Sequence, residues 1–385
     1  MTHPATKYAN DVLSGKILAC RWVHLAVERH LNDLKHGHER GLYFDEAAAD
    51  HVLEFFSHLR LWKGRDYKGK EFVLGPHFQF ILSVIMGWKR ADGLRRFRTA
   101  YIEMGRKGAK STIAGGMGAY FLVADGEEGA EIYSAATKKE QAKIVWSNIR
   151  NLTKKSIFSK LINYYVNNLS IESTWSKCEP LSSDTKSMDG LDTHFASLDE
   201  LHAHPTPEVY DLIADSVGSR SQPLIFIITT AGFDQAGVCF QRRDYLTKIL
   251  KGVIKDDSFF GVIFTLDVKN DWPELLTHQE KITGKEGVEE DDWLNEDLWF
   301  KPMPGLCGIT KNGIKYGIDE NGDQIPGYMT KIEDVRDKCR VAKEIVASQN
   351  NFLTKRMNIW TSQYSRWIDL VLWDENNTKP LYIME

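Results

Sequence analysis

The chain has 385 residues, 42% of them hydrophobic and 26% charged, and a net charge of −4. That is a globular composition long enough for two or three lobes, and its charge excludes a global basic field, so any nucleic-acid surface must be local. Five scattered cysteines without a C-x-x-C argue against a disulfide framework or a zinc ribbon, no apolar run approaches the ~18 residues of a membrane span, and the N-terminus lacks the apolar core of a signal peptide.

In chain order, residues 10–62 read as helical. RWVHLAVERHLNDLKHG repeats apolar residues at helical spacing and stops at Gly37, and FDEAAADHVLEFFSHLRLW opens with acids, which suit a helix N-terminus. KGKEFVLGPHFQFILSVIMGW reads as a strand-like piece, a Gly-Pro turn and an apolar helix. From residue 95 strands and helices alternate. RFRTAYIEM, AEIYSAA and THFASLDE are strand-like and each is followed by a helical pattern, and PLIFIITTAG reads as a further, buried strand. Such alternation predicts βαβ units and a parallel sheet, with ligands at the carboxyl ends of its strands. Beyond about residue 258 the chain becomes acidic and rich in tryptophan. GITKNGIKYGIDENGDQIPGY carries two Asn-Gly hairpin signals, and YMTKIEDVRDKCRVAKEIVASQNNFLTKRMNIW predicts one long helix. These shifts divide the chain into a helical lobe at 1–65, an α/β core at 66–257 and a lid or linker region at 258–385.

Two loops carry the chemistry. GRKGAKST, residues 105–112, joins a strand to a helix, as a phosphate-binding loop does. Against G-x-x-x-x-G-K-[ST] its glycines, Gly105 and Gly108, each miss by one position, and Ala109 stands where the second glycine belongs. Lys110 would reach the β- and γ-phosphates, Ser111 would ligate Mg²⁺, and the helix N-terminus would add its dipole. Alanine at 109 is tolerable if its φ stays negative. A basic turn at a strand end is the plain alternative. In THFASLDELHAH, Asp199 would hold the metal's hydration shell and Glu200 would polarise the attacking water; a helix cap is the alternative. Thr230, ending the strand in ITTAG, would hydrogen-bond that water or Glu200, or simply close a turn.

Lesser signals surround these loops. Lys138, Lys139 and Lys143 begin a helix where they would meet DNA phosphates or merely face solvent. His202 and His204 resemble metal ligands, but their i, i+2 spacing sends them to opposite sides. Between residues 89 and 110, eight cations (Lys89, Arg90, Arg95, Arg96, Arg98, Arg106, Lys107 and Lys110) face two acids, which suggests a phosphate-facing region. Arg220, before the buried strand, would either enter a neighbouring subunit's site or pair with Asp215.

FQFILSVIMGW, MGRKGAKST, SAATKKEQA, SMDGLD, SLDELHAH and ITTAGF, in this order, resemble the ATPase portion of the large terminase subunit of tailed bacteriophages. The resemblance implies a P-loop NTPase fold of the RecA/ASCE type, with an N-terminal helical lobe and a C-terminal lid or linker around a parallel sheet flanked by helices. It implies ATP and Mg²⁺ as cofactors and translocation of double-stranded viral DNA in the host cell cytoplasm. It also implies portal protein or procapsid and a small terminase subunit as partners, and a homo-oligomeric ring without a membrane. By the same resemblance Arg106 is the cis-acting arginine on the γ-phosphate, Gln79 reads adenine, and Gly105, Lys107, Gly108, Ala109 and Thr112 complete the nucleotide loop. A DNA helicase or remodelling ATPase, or an inactive prophage remnant that only binds partners, are the rival readings. Relatives continue into a nuclease domain after a segment like RMNIWTSQYSRWIDLVLW; here twelve residues follow it, so nuclease activity is not expected from this chain alone.

Overall fold

The computed structural model describes residues 2–65, 67–137, 139–181 and 190–361. The chain opens with α1 (Pro4–Leu13), whose proline lies in the first turn and whose N-cap is His3, the ring nitrogen accepting from the Ala5 amide at 3.2 Å. Next come α2 (Arg21–His36), β1 (Leu42–Phe44) and α3 (Glu46–His58). Asp45 caps α3 by accepting from the Ala48 amide at 3.0 Å. α4 (Pro76–Gly87) is buried from Phe80 onward and runs into β2 (Trp88–Arg90), which pairs antiparallel with β1. The strand-like piece before α4 forms only a single bridge, Arg60 to Glu71.

The alternating region builds the sheet. Its elements are β3 (Thr99–Glu103), α5 (Lys110–Val123), β4 (Glu131–Ala135), α6 (Lys139–Lys154), β5 (Asn163–Tyr164), β6 (Leu169–Ile171), β7 (Ser176–Leu181), β8 (Thr193–Asp199), α7 (Glu208–Ser216), β9 (Leu224–Thr229), α8 (Val238–Leu250) and β10 (Phe259–Ile263). The strand order is β10-β3-β9-β8-β4-β7-β6-β5, parallel from β10 through β7, with β6 and β5 added antiparallel. β8 and β9 are buried at every position, as strands covered on both faces must be. The small residues of α5 serve close packing: a Cβ at Gly116 would meet the Phe56 ring at 2.3 Å, and one at Gly115 would meet Asn148 at 2.5 Å.

The C-terminal region holds α9 (His278–Ile282), β11 (Leu306–Ile309), β12 (Lys315–Tyr316), β13 (Thr330–Lys331), α10 (Ile332–Glu344) and α11 (Val346–Lys355). The first Asn-Gly turn joins β11 to β12 with Gly313 at φ +84°, and the second puts Gly322 at φ +89° within the Ile318–Gln324 bridge. The expected single long helix is two helices, broken at Ile345, which is extended at φ −124° and ψ 104°. The break resets the apolar phase. Val335, Cys339 and Ala342 form the buried stripe of α10, Val346 at the next helical step is exposed, and Phe352 takes over against Trp293 and Trp299. One apolar cluster runs from the N-terminal helices through the sheet and includes Trp360; a second gathers Leu266, Trp299, Ile332 and Phe352. Among the described residues no helix is long and apolar enough to cross a membrane.

Candidate functional site

Three adjacent parallel strands, β3, β9 and β8, end in register: Glu103 lies opposite Thr229, and Asp199 opposite Ile228. The loops beyond them therefore share one edge of the sheet. The loop after β3 alternates in handedness, with Lys107 at φ +72° and Ala109 at φ +59°. This corrects the expectation of a negative φ at Ala109; the side chain is carried in the left-handed region, at a cost of about 1–2 kcal/mol for an L-residue. Alternating handedness turns successive N–H groups inward into an anion nest. Among the described residues the backbone N–H groups of Lys107, Gly108, Ala109, Lys110 and Ser111 donate no hydrogen bond. Lys110 is 6% exposed, and its ammonium donates to two neutral carbonyls, Met104 at 2.8 Å and Gly105 at 3.1 Å. Burial pushes its pKa down to about 8. Thr112 follows in the first turn of α5, its amide donating to the Ala109 carbonyl at 3.0 Å.

β9 separates β3 from β8, but α5 packs across β9 and β8, so Ser111 meets Asp199: its hydroxyl donates to Oδ2 at 2.8 Å. The other oxygen, Asp199 Oδ1, is buried without a hydrogen-bond partner. Burial and the neighbouring Glu200 charge raise Asp199 to about 6. Glu200 has φ +53°, which redirects its side chain from that of Asp199. Burial works against its charge, but His202 at 3.1 Å, Lys110 and Arg106 outweigh it and hold the carboxyl at about 2. Arg106, Ser111, Asp199, Glu200 and His202 line one cleft of about 240 Å³. Arg106 is exposed there, without a side-chain partner among the described residues. A hydroxyl and a carboxylate in contact, with one carboxylate oxygen unsatisfied, suit a hard divalent cation and its water shell.

Thr230 donates to the Ala231 carbonyl at 3.1 Å and lies 3.4 Å from His202, so it approaches Glu200 only through that ring. Thr229 is closer: its hydroxyl lies 3.1 Å from His202 Nδ1 and accepts from the His202 amide at 3.2 Å. His202 Nδ1 thus lies at ion-pair distance from Glu200 Oε2, which makes no hydrogen bond among the described residues, a proximity its spacing to His204 did not reveal. His204 is buried with its pKa near 4, held down by burial. The C-terminal region also grips the loop. Gly105 N–H donates to Pro302 at 3.0 Å, Arg106 N–H to Lys355 at 2.7 Å, and Thr330 to the Lys107 carbonyl at 3.1 Å. A Cβ on Gly105 would strike the Arg356 carbonyl at 2.5 Å, and one on Gly108 would strike Met104 Sδ at 2.7 Å. Glu103, at the end of β3, is fully buried and accepts from Tyr101 at 2.6 Å and from Asn358 and Trp360 at 3.3 Å. An acid ending an apolar strand was the visible signal for this cluster.

Other expected residues lie elsewhere. Gln79, in the first turn of α4, donates its amide to the Leu74 carbonyl at 2.9 Å, and no phosphate-loop group among the described residues hydrogen-bonds to it. The basic run is not one phosphate-facing surface. Arg95, Arg96 and Arg98 precede β3 and so lie at its amino end, opposite the loop. Arg95 is buried on Asp125 at 2.9 Å, Arg96 on Asp33 at 2.7 Å and Asp257 at 2.6 Å, and Arg98 donates to the Val217 carbonyl at 3.3 Å. Arg90 pairs with Asp92 at 3.0 Å, and Lys89, in β2, is half-buried. Arg220, before β9, shares that amino edge and pairs with Glu127 at 3.0 Å and Asp192 at 2.7 Å rather than with Asp215. Lys139 and Lys143 open α6 on the carboxyl side of β4; Lys138 and the first half of SMDGLD lie outside the described residues.

Residues 76–248 match the family described as Terminase large subunit, ATPase domain. Protein YmfN of Escherichia coli (strain K12) is 28% identical over 193 residues, 50% of this chain and 33% of that protein. The large terminase of bacteriophage HK97 superposes with a TM-score of 0.62 at 16% identity, over 87% of this chain and 60% of its own. The large terminase of a thermophilic bacteriophage, solved in complex with ADP, aligns over 50% of this chain and 46% of its own at 11% identity with a TM-score of 0.35. The chain thus spans less than two thirds of each of these proteins. The fold is that of the P-loop NTPases, and residues 76–248 match the terminase large subunit ATPase-domain family.

Proposed function

We propose that this chain hydrolyses ATP to drive double-stranded viral DNA into a procapsid, as the motor subunit of a terminase. One observation carries the reading: a nest of free N–H groups and the unpaired, buried Lys110 open beside the Ser111–Asp199 contact. A buried cation bonded only to neutral carbonyls is costly until an anion arrives, and a phosphate supplies one. Lys110 and the nest would bind the β- and γ-phosphates. Ser111 and Asp199 would hold Mg²⁺, which neutralises phosphate charge when bound. Glu200, ionised at neutral pH and beside His202, orients and polarises the attacking water. Arg106 forks onto the phosphate oxygens as charge develops there. Thr230 links the end of β9 to Glu200 through His202. Gln79, in the first turn of α4, would read adenine, and Lys139 and Lys143 are candidates for DNA phosphate contact. Portal protein, a small subunit and a ring of like subunits complete the proposed machine.

A DNA-stimulated phosphate-release assay tests this. Lys110→Ala should abolish nucleotide binding, whereas Glu200→Gln should keep ATP bound and stop turnover. A Glu200→Gln protein that turns over at the wild-type rate removes Glu200 from the mechanism; a wild-type protein that releases no phosphate with or without DNA overturns the motor reading.

A further inference from the structure

Lys355 ends α11, far along the chain from the phosphate loop, yet it bridges that loop and the end of β9. Its backbone carbonyl accepts from the Arg106 N–H at 2.7 Å, and its ammonium donates to the Ala231 carbonyl at 3.0 Å, just past the end of β9. The side chain is 7% exposed, and its Nζ lies 5.4 Å from the Phe233 ring centroid. That single hydrogen bond to a neutral acceptor uses one of three donors, and among the described residues no carboxylate lies within ion-pair distance. The charged groups it faces are Arg106, Glu200 and Lys110, and burial together with Arg106 lowers its pKa to about 8. A second lysine of this region shows what a structural solution looks like: Lys301 is paired with Asp267 at 2.9 Å and Asp291 at 2.7 Å. Lys355 has no such compensation, and it shares the field of Glu200 with Arg106 and Lys110.

We propose that Lys355 binds the terminal phosphate of the nucleotide, so that the C-terminal region contributes a ligand that distinguishes a nucleoside triphosphate from a diphosphate. The inference rests on the ATP-site reading above. It ties the γ-phosphate to α11 and, through Asn358, to Glu103 at the end of β3 and to the Ala231 amide, which donates to Asn358 Oδ1 at 2.7 Å. Loss of the terminal phosphate would leave Lys355 unpaired again, and the C-terminal region would feel it.

The test is a pair of dissociation constants, for ADP and for the slowly hydrolysed ATPγS, measured with Mg²⁺ on the full chain. Lys355→Gln keeps a donor for the Ala231 carbonyl but removes the charge. It should weaken ATPγS roughly ten- to hundredfold, the scale of a charge-assisted hydrogen bond, and leave ADP within about twofold. Lys355→Arg should recover most of the loss. Equal affinities of wild type and Lys355→Gln for ATPγS, or equal losses for both nucleotides, would overturn the proposal and leave Lys355 a structural tie to Ala231. A wild-type chain that binds neither nucleotide, with Lys110→Ala no different, would instead overturn the ATP-site reading and this inference with it.

Discussion

Replacing Ala109 by glycine should stabilise the protein, although the same change in a helix destabilises. Ala109 sits at φ +59° and ψ 14°, immediately before α5. Leaving the left-handed region to glycine removes about 1–2 kcal/mol of strain. Glycine's greater freedom in the unfolded chain returns about 0.4–1 kcal/mol, and the half-exposed methyl loses only a few tenths. The net is about 0.5 kcal/mol in favour of glycine. Ala119, fully buried within α5, is the control: helix propensity costs about 1 kcal/mol and the buried methyl about 0.8 kcal/mol, so Ala119→Gly should lose roughly 2 kcal/mol. Urea unfolding followed by circular dichroism reads both midpoints, provided the slopes stay equal. Because the nest is already built around this conformation, Ala109→Gly should also bind nucleotide at least as tightly as wild type. If Ala109→Gly shifts the midpoint down in parallel with Ala119→Gly, the left-handed alanine and the nest built on it are wrong.

Arg106→Ala should lower kcat by on the order of 10³-fold with little change in KM, as for a group that acts mainly in the transition state; a change confined to KM makes Arg106 a ground-state contact. Asp125→Ala should cost about 3–5 kcal/mol, because it leaves Arg95 buried without its partner, while nucleotide affinity of the folded protein is unchanged; weakened phosphate binding would return Arg95 to the site. Acid should destabilise through His30, His77 and His204, which burial holds at about 4, 3 and 4. Their folded pKa values lie below the unfolded ~6.5, so their contribution is complete above about pH 6.5 and is lost as pH falls towards 4, at about 2 kcal/mol per histidine by pH 5. A melting temperature that stays flat from pH 7.5 to 5 contradicts that burial.

What the amino-acid sequence determined by itself is local. Strand-loop-helix order placed Lys110 and Ser111 at a helix start because periodicity and the loop's residues act over a few positions. The apolar run from Leu224 to Ile228 marked a strand covered on both faces, and the Asn-Gly pairs marked turns, for the same reason. Partners separated along the chain were decided only by tertiary structure. Arg95 and Arg96 read as phosphate-facing because Asp125, Asp33 and Asp257 are remote in sequence and adjacent only in the fold. The amphipathic stretch after residue 330 read as one helix because nothing local shows that Phe352 must rejoin a core already occupied by the stripe of α10. The handedness of Ala109 follows from the nest that the closed loop imposes, against the residue's own preference. Lys355 reaches the site only because the C-terminal region folds back over the carboxyl edge of the sheet, where burial, rather than any motif, sets which charges meet.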